Sequence, residues 1–350
     1  MILEQYLPII IGTIFYISTY LIVTLSLNLE AGYAGIPDFG KMMFVAVGAY
    51  VTLNLVPRVT GYLLGVDTTG LTDSNKNIRI MEEINKKLVG RYDVAAVTFI
   101  VSIVLAMGAG ALFGYLASRP AIRLRGDFLA ISLLAIAEIV RQMGIHTDFI
   151  AGGEMGLYAP NIFFWYRHDV VVALLSLTLA VATFLLLERM ANSPLGRLLR
   201  AIRDDEDAAK ALGKDVTKIR TRIIMLSSAI AALVGVLAVY YSLGGTAKDF
   251  DRVTWTFWPW AMMIAGGMAN NVGVLVGTLL IVIPHQLIFM YKHAIASYVP
   301  FDPAWLEKIL VGMVVIIILY VRPQGLVPEK PSRTISYVRV RDFLEQAEKK

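Results

Sequence analysis

Runs of about 20 mainly apolar residues, long enough to cross the hydrocarbon core of a bilayer as a helix, recur along this chain between short polar turns. They fall at Pro8–Asn28, Phe39–Val56, Val94–Ser118, Phe128–Ile145 and Val170–Leu187, and after a polar interruption at Ile223–Leu243, Phe257–Met268, Val272–Tyr291 and Trp305–Val321. The pattern predicts an all-α, polytopic integral membrane protein with about nine transmembrane helices (eight to ten), including broken or re-entrant segments. Phe257–Met268 is short for a crossing, and irregular backbone at membrane depth survives only where protein or a water-filled cavity satisfies it. The first run has no basic leader and no small-residue cleavage site behind it, so it reads as a retained span.

The polar segments set the orientation. Residues 191–222 carry eight basic side chains (Arg197, Arg200, Arg203, Lys210, Lys214, Lys218, Arg220 and Arg222), a bias that holds a short loop in the cytosol. Arg119, Arg123 and Arg125 and the tail from Arg322 belong on the same side, which predicts an external N terminus and a cytoplasmic C terminus. The segment 58–92 is then an external insertion, although Arg79, Lys86, Lys87 and Arg91 argue against that side. Within it Ile80, Met81, Ile84 and Leu88 have the spacing of a short amphipathic helix at the surface. Residues 1–326 thus form one transmembrane domain, and 327–350 a basic cytoplasmic tail with a short helix near Asp342–Lys349.

At 57% hydrophobic residues and a mean hydropathy of +0.65, the chain is too apolar for a soluble domain. Its net charge of +5 lies beside the spans and matches anionic lipid headgroups, worth about 1 kcal/mol per basic residue, so no nucleic acid is expected. With no cysteine, disulfides, thiolate metal sites and cysteine nucleophiles are excluded. The histidines His146, His168, His285 and His293 form no metal pair. No phosphate loop or serine elbow is present either. The chain is therefore read as a non-enzyme without cofactor or metal.

Six places are candidates for function or for local packing. Gly32-Tyr33-Ala34-Gly35-Ile36-Pro37-Asp38-Phe39-Gly40 breaks the apolar pattern, either as a broken helix lining a path or as a tight turn at the surface. Glu138 and Arg141, three apart on one helical face, each cost roughly 2.5–3.5 kcal/mol near the membrane centre. They line the path or form a pair that fixes packing. The Gly152-Gly153 turn and the Gly266–Gly273 turn suit close helix approach, and Asp127 sits where a carboxylate favours a helix N terminus. Inside 191–222, Asp207-Ala208-Ala209-Lys210-Ala211-Leu212-Gly213 predicts a short helix with a small-residue face, ended by glycine.

In order and spacing these residues resemble the branched-chain amino acid ABC-transporter permease family, LivM-type subunit. The landmarks are Gly32-Tyr33-Ala34-Gly35, Leu124 to Ile131, Glu138-Ile139-Val140-Arg141, Gly152 to Leu157, Ser193-Pro194-Leu195-Gly196-Arg197 and Arg322-Pro323-Gln324-Gly325-Leu326. The resemblance implies half of a translocation pathway for branched-chain, hydrophobic amino acids. It implies partners as well: a second, LivH-like permease subunit, two cytosolic ATP-binding subunits and an external solute-binding protein. Arg203, Asp207, Ala208, Ala209 and Gly213 are the implied ATPase-coupling residues. Gly32, Gly35, Gly40, Glu138, Arg141, Gly152 and Gly153 are the translocation-path candidates. Lys41 departs from the neutral polar residue or histidine the family often carries there. Sister permeases for urea or short amides share these landmarks, and an ion-driven secondary transporter is the alternative from another class.

Overall fold

The computed structural model describes residues 2–124, 126–292 and 303–329. Arg125, His293 and the predicted tail helix at 342–349 lie outside the described residues. The helices, in chain order, are α1 (Ile2–Leu27), α2 (Lys41–Leu64), α3 (Ser74–Leu88), α4 (Tyr92–Arg123), α5 (Asp127–His146), α6 (Asp148–Ala151), α7 (His168–Ala191), α8 (Pro194–Asp204), α9 (Glu206–Ala211), α10 (Val216–Ser242), α11 (Trp258–Gly266), α12 (Asn271–Met290) and α13 (Pro303–Val321). Seven helical stretches among the described residues are long and apolar enough to cross a membrane: Leu7–Tyr33, Lys41–Leu64, Tyr92–Pro120, Asp127–His146, His168–Ala191, Val216–Ser242 and Asn271–Met290. An all-α polytopic membrane fold is what the apolar runs predict. The count of nine is not confirmed: of the two remaining runs, Trp305–Val321 gives only a shorter apolar helix, Val311–Val321, among the described residues, and Phe257–Met268 begins at the end of a π-helical turn, Val253–Phe257, and continues as the nine-residue α11. At about 1.5 Å per residue that is well short of a crossing, so α11 is the broken element the sequence pattern predicts.

Helices α1, α2 and α10 form the buried centre, while α4, α5, α7 and α12 turn much of their apolar surface outward. Small residues bring the centre together. A Cβ on Gly48 of α2 would run into the Ala232 carbonyl of α10, and one on Gly235 would meet the Val45 carbonyl. Lipid tails give no hydrophobic drive between helices, so such close backbone packing is what holds them.

The two ends of the bundle differ. At one end α3, N-capped by Asp73, buries Met81 and Ile84 against Val66 and Leu71. Asn77 and Asn85 accept backbone N–H groups from Tyr158 and Asn161 at 2.8 and 2.9 Å. The insertion 58–92 is thus a folded cap containing the predicted amphipathic helix, docked on the two-residue antiparallel pair β1 (Leu157–Tyr158) and β2 (Gly244–Gly245). At the other end lie the C terminus of α1, the N terminus of α2, and the arm formed by α8 and α9. Packing does not stop at 326: Leu326 and Val327 donate backbone hydrogen bonds to Ala265 and Gly266 at 3.0 and 2.8 Å.

Candidate functional site

The break between α1 and α2 lies inside the protein. Residues Asn28–Tyr33 form a π-helical turn with every residue buried, and Gly35, at φ +66°, lets the chain reverse where a side chain would be strained. Lys41, fully buried at the start of α2, places its ammonium 2.8 Å from Glu30 Oε2 and 3.5 Å from Asp38 Oδ2. It also donates to Ser227 Oγ at 2.5 Å, and Ser227 donates to the Ser26 carbonyl at 2.6 Å. Asn28 accepts from the Ala269 amide at 2.8 Å and donates to Asn271 Oδ1 at 3.1 Å, which joins the break to the α11–α12 turn. Irregular backbone here is satisfied by protein groups, as membrane depth requires, and the reading of a tight surface turn is set aside.

The arm is built from two capped helices. Ser193 caps α8 by accepting from the Leu195 amide at 3.2 Å, with Pro194 in the first turn. Asp205 caps α9 by accepting from the amides of Asp207 and Ala208 at 3.0 and 2.9 Å. Gly213, at φ +75°, ends it with a 6→1 and 5→2 pair of backbone bonds, Lys214 to Ala209 and Gly213 to Lys210. Two of the expected coupling residues do not face outward. Ala209 is 4% exposed and packs on Ile202 and Val216, because α9 has only one apolar side and needs it to hold α8 and α10. Arg203 points to the break: Nη1 donates to the Gly32 carbonyl at 2.7 Å and Nη2 to Glu329 Oε2 at 2.9 Å. Burial by itself would lower the Arg203 pKa, and the hydrogen bonds and charges of Glu329 and Asp204 together more than offset it, so the guanidinium ends above its ordinary value. The outward face of the arm's tip is Asp207, Ala208, Ala211 and Leu212.

Of the path candidates, Gly32 and Gly35 meet the arm at Arg203, and Gly40 closes on α5, where a Cβ would lie 2.7 Å from the Leu133 carbonyl. Glu138 and Arg141 stand further along α5, paired at 2.6 Å and a quarter or less exposed, with Gln142 donating to the same carboxylate at 2.8 Å. Gly152 and Gly153, both at positive φ, serve the β1 turn at the opposite end and are not brought to the others. Asp127 occupies the first turn of α5, behind Gly126 as the cap residue. Sequence reasoning missed Glu30, Asp38 and Lys41 as a set, Asn28, and Glu329. The signal was available for the first three, since charges flanking an apolar run must find partners. Glu329 gave none, because its partners lie more than a hundred residues away.

Comparisons with known proteins place the sequence in a family. The family model described as "Branched-chain amino acid transport system / permease component" matches residues 9–319. The chain is 38% identical over 317 residues to the probable branched-chain amino acid transport permease protein LivM of Methanocaldococcus jannaschii, covering 89% of this chain and 91% of that one. It is 26% identical over 336 residues to the high-affinity branched-chain amino acid transport system permease protein LivM of Salmonella typhimurium, covering 88% of this chain and 68% of that relative. A permease named LivH from M. jannaschii is 24% identical over 291 residues, 80% of each chain. No solved structure matches. With the family model spanning most of the sequence and a LivM relative aligned along nearly its whole length, the chain belongs to the branched-chain amino acid transport permease family, as a LivM-type component.

Proposed function

We propose that this chain forms half of the translocation pathway of an ATP-binding cassette importer for branched-chain, hydrophobic amino acids, and that its 191–222 arm couples it to a separate cytosolic ATPase. A LivH-like permease completes the pathway, two ATP-binding subunits dock below it, and an external solute-binding protein delivers the solute at the end capped by α3. With the arm in the cytosol, the start of α1 at the far end of the bundle is external and Glu329 is cytosolic. The chain itself performs no hydrolysis.

The observation that carries the reading is the tip of the arm. Its inner side is fixed by Ile202, Ala209 and Val216, so its outer side moves only if the helices behind it move. That outer side is small and flat around Ala208 and Ala211, with Leu212 78% exposed beside them, a shape that suits a helix seated in a partner's groove. The substrate class is supported by the names of the relatives. The test is reconstitution of the chain in liposomes with and without its ATPase, binding protein and second permease. Leucine uptake that requires ATP and all partners is expected, together with loss of solute-stimulated ATP hydrolysis in Ala208→Arg, an exposed position where folding is spared. Uphill transport by the chain alone on a proton or sodium gradient sinks the proposal.

A further inference from the structure

The inward turn of Arg203 leads to a contact the coupling reading does not include. Its Cγ lies against Gly35, where a Cβ would be 2.8 Å away, and Nη1 caps the carbonyl of Gly32 in the last turn of the α1 break, a helix end that favours a cation. Arg200, one turn earlier on α8, places Nε 3.0 Å from Glu329 Oε1 and its guanidinium 5.2 Å from the ring centre of Tyr33. Glu329 therefore holds two of the three arginines of α8, Arg200 and Arg203, with one carboxylate. The residues just before it are anchored elsewhere. Leu326 and Val327 donate to Ala265 and Gly266, and the Pro328 carbonyl accepts from Asn270 at 2.9 Å. Gly325, at φ +81°, sits so close to Gly267 that a Cβ would be 2.5 Å from its Cα. The α11–α12 turn in turn grips the break through Asn28.

Four segments thus form a closed ring: α8, the α1–α2 break, the α11–α12 turn and the C-terminal strap Arg322–Glu329. We propose that the strap is part of the coupling machinery, and that Glu329 is the positioning residue through which movement of the arm reaches the α11–α12 turn as well as the break. This rests on the reading of the arm as the ATPase-coupled element. The physical argument is charge balance. With Glu329 in place, two guanidinium groups share one carboxylate and α8 cannot shift without drawing the strap. Without it, Arg200 and Arg203 are like charges side by side, Arg203 keeps only Asp204 and the Gly32 carbonyl, and the ring opens between α8 and the strap.

The test uses the complete reconstituted transporter and reads solute moved per ATP hydrolysed in Glu329→Gln, Glu329→Asp and Asp204→Asn. In Glu329→Gln the ratio is expected to fall at least about fivefold, the low end of ordinary coupling between sites, with the basal ATPase rate retained. Glu329→Asp recovers most of the ratio, and Asp204→Asn, whose carboxylate is largely exposed, stays near wild type. A wild-type ratio in Glu329→Gln overturns the proposal, and so does a proportional fall of transport and ATP turnover, the mark of a merely structural residue. Hydrogen exchange on the membrane complex as purified, without nucleotide, separates the two readings. Exchange is expected to rise in Glu329→Gln at α8 and at residues 264–273 together. A rise confined to α8 overturns the ring and leaves the coupling reading standing, whereas ATP-independent transport by the wild type removes the coupling reading while the exchange result still judges the ring.

Discussion

A lysine without exposed surface in the middle of a membrane protein is costly unless its charge is met, and Lys41 is met twice. Glu30 and Asp38 both approach its ammonium, and the Ser227 hydroxyl takes a further donor. The arrangement has two carboxylates for one cation, and Glu30 Oε1 has no hydrogen-bond partner among the described residues, so the lysine is the member whose removal leaves most charge uncompensated. Lys41→Met is expected to destabilise the protein by about 3–5 kcal/mol, as breaking a buried pair from one side does. The double variant Lys41→Met/Glu30→Gln, which leaves one carboxylate instead of two without its cation, is expected to melt between that variant and the wild type in a detergent thermal-stability assay. A Lys41→Met variant as stable as wild type shows that the three residues do not depend on one another. Lys41 was visible in the sequence as a departure at the edge of a span. Its role was not, because Glu30, Asp38 and Ser227 are joined to it only by the reversal at Gly35 and by the docking of α10.

Helix boundaries follow closely from apolar length, since each full span must cover the same thickness of hydrocarbon. Depth and partner do not follow from length, which is why α11 was foreseen as broken but not as the anchor of a strap, and why the β1–β2 pair was missed: two residues per strand leave no alternation to read. The fit between central helices is decided by where glycines stand. Gly48 of α2 faces the α10 backbone, whereas Gly108 of α4 has open space where its Cβ would be. Gly48→Ala is expected to cost about 1–3 kcal/mol through overpacking. Gly108→Ala, at a helical position with room, is expected to be neutral or stabilising by up to about 1 kcal/mol. Thermal melts of the two variants check the contrast, and equal behaviour would show that α2 and α10 can part without loss.

Across the whole molecule the outer helices matter as much as the centre, because on the proposed function the chain supplies half of a pathway and leaves one side to be completed by a partner. Helix α5 is only 28% buried over its span, and its Glu138–Arg141 pair, a quarter or less exposed, is within electrostatic reach of Tyr50 on α2 and of Asp251 and Arg252 ahead of α11. Among the described residues its hydrogen bonds run between the two side chains and to Gln142, all on α5, so no hydrogen bond of the pair ties α5 to another helix. A partly exposed charge pair left against hydrocarbon would be costly. On the proposed reading that face of α5 meets water or the second permease, and the two residues serve the path. Replacing both with leucine removes the charges together and spares the protein an unpaired ion, so the double variant is expected to reach the membrane at normal levels. Its leucine uptake is expected to fall at least about tenfold, the rate factor of about 1.4 kcal/mol on a barrier, with arm-dependent ATP turnover still responsive to the binding protein. If uptake by the double variant equals wild type, the charges serve neither path nor partner, and the route of the solute must be sought on another face of the bundle.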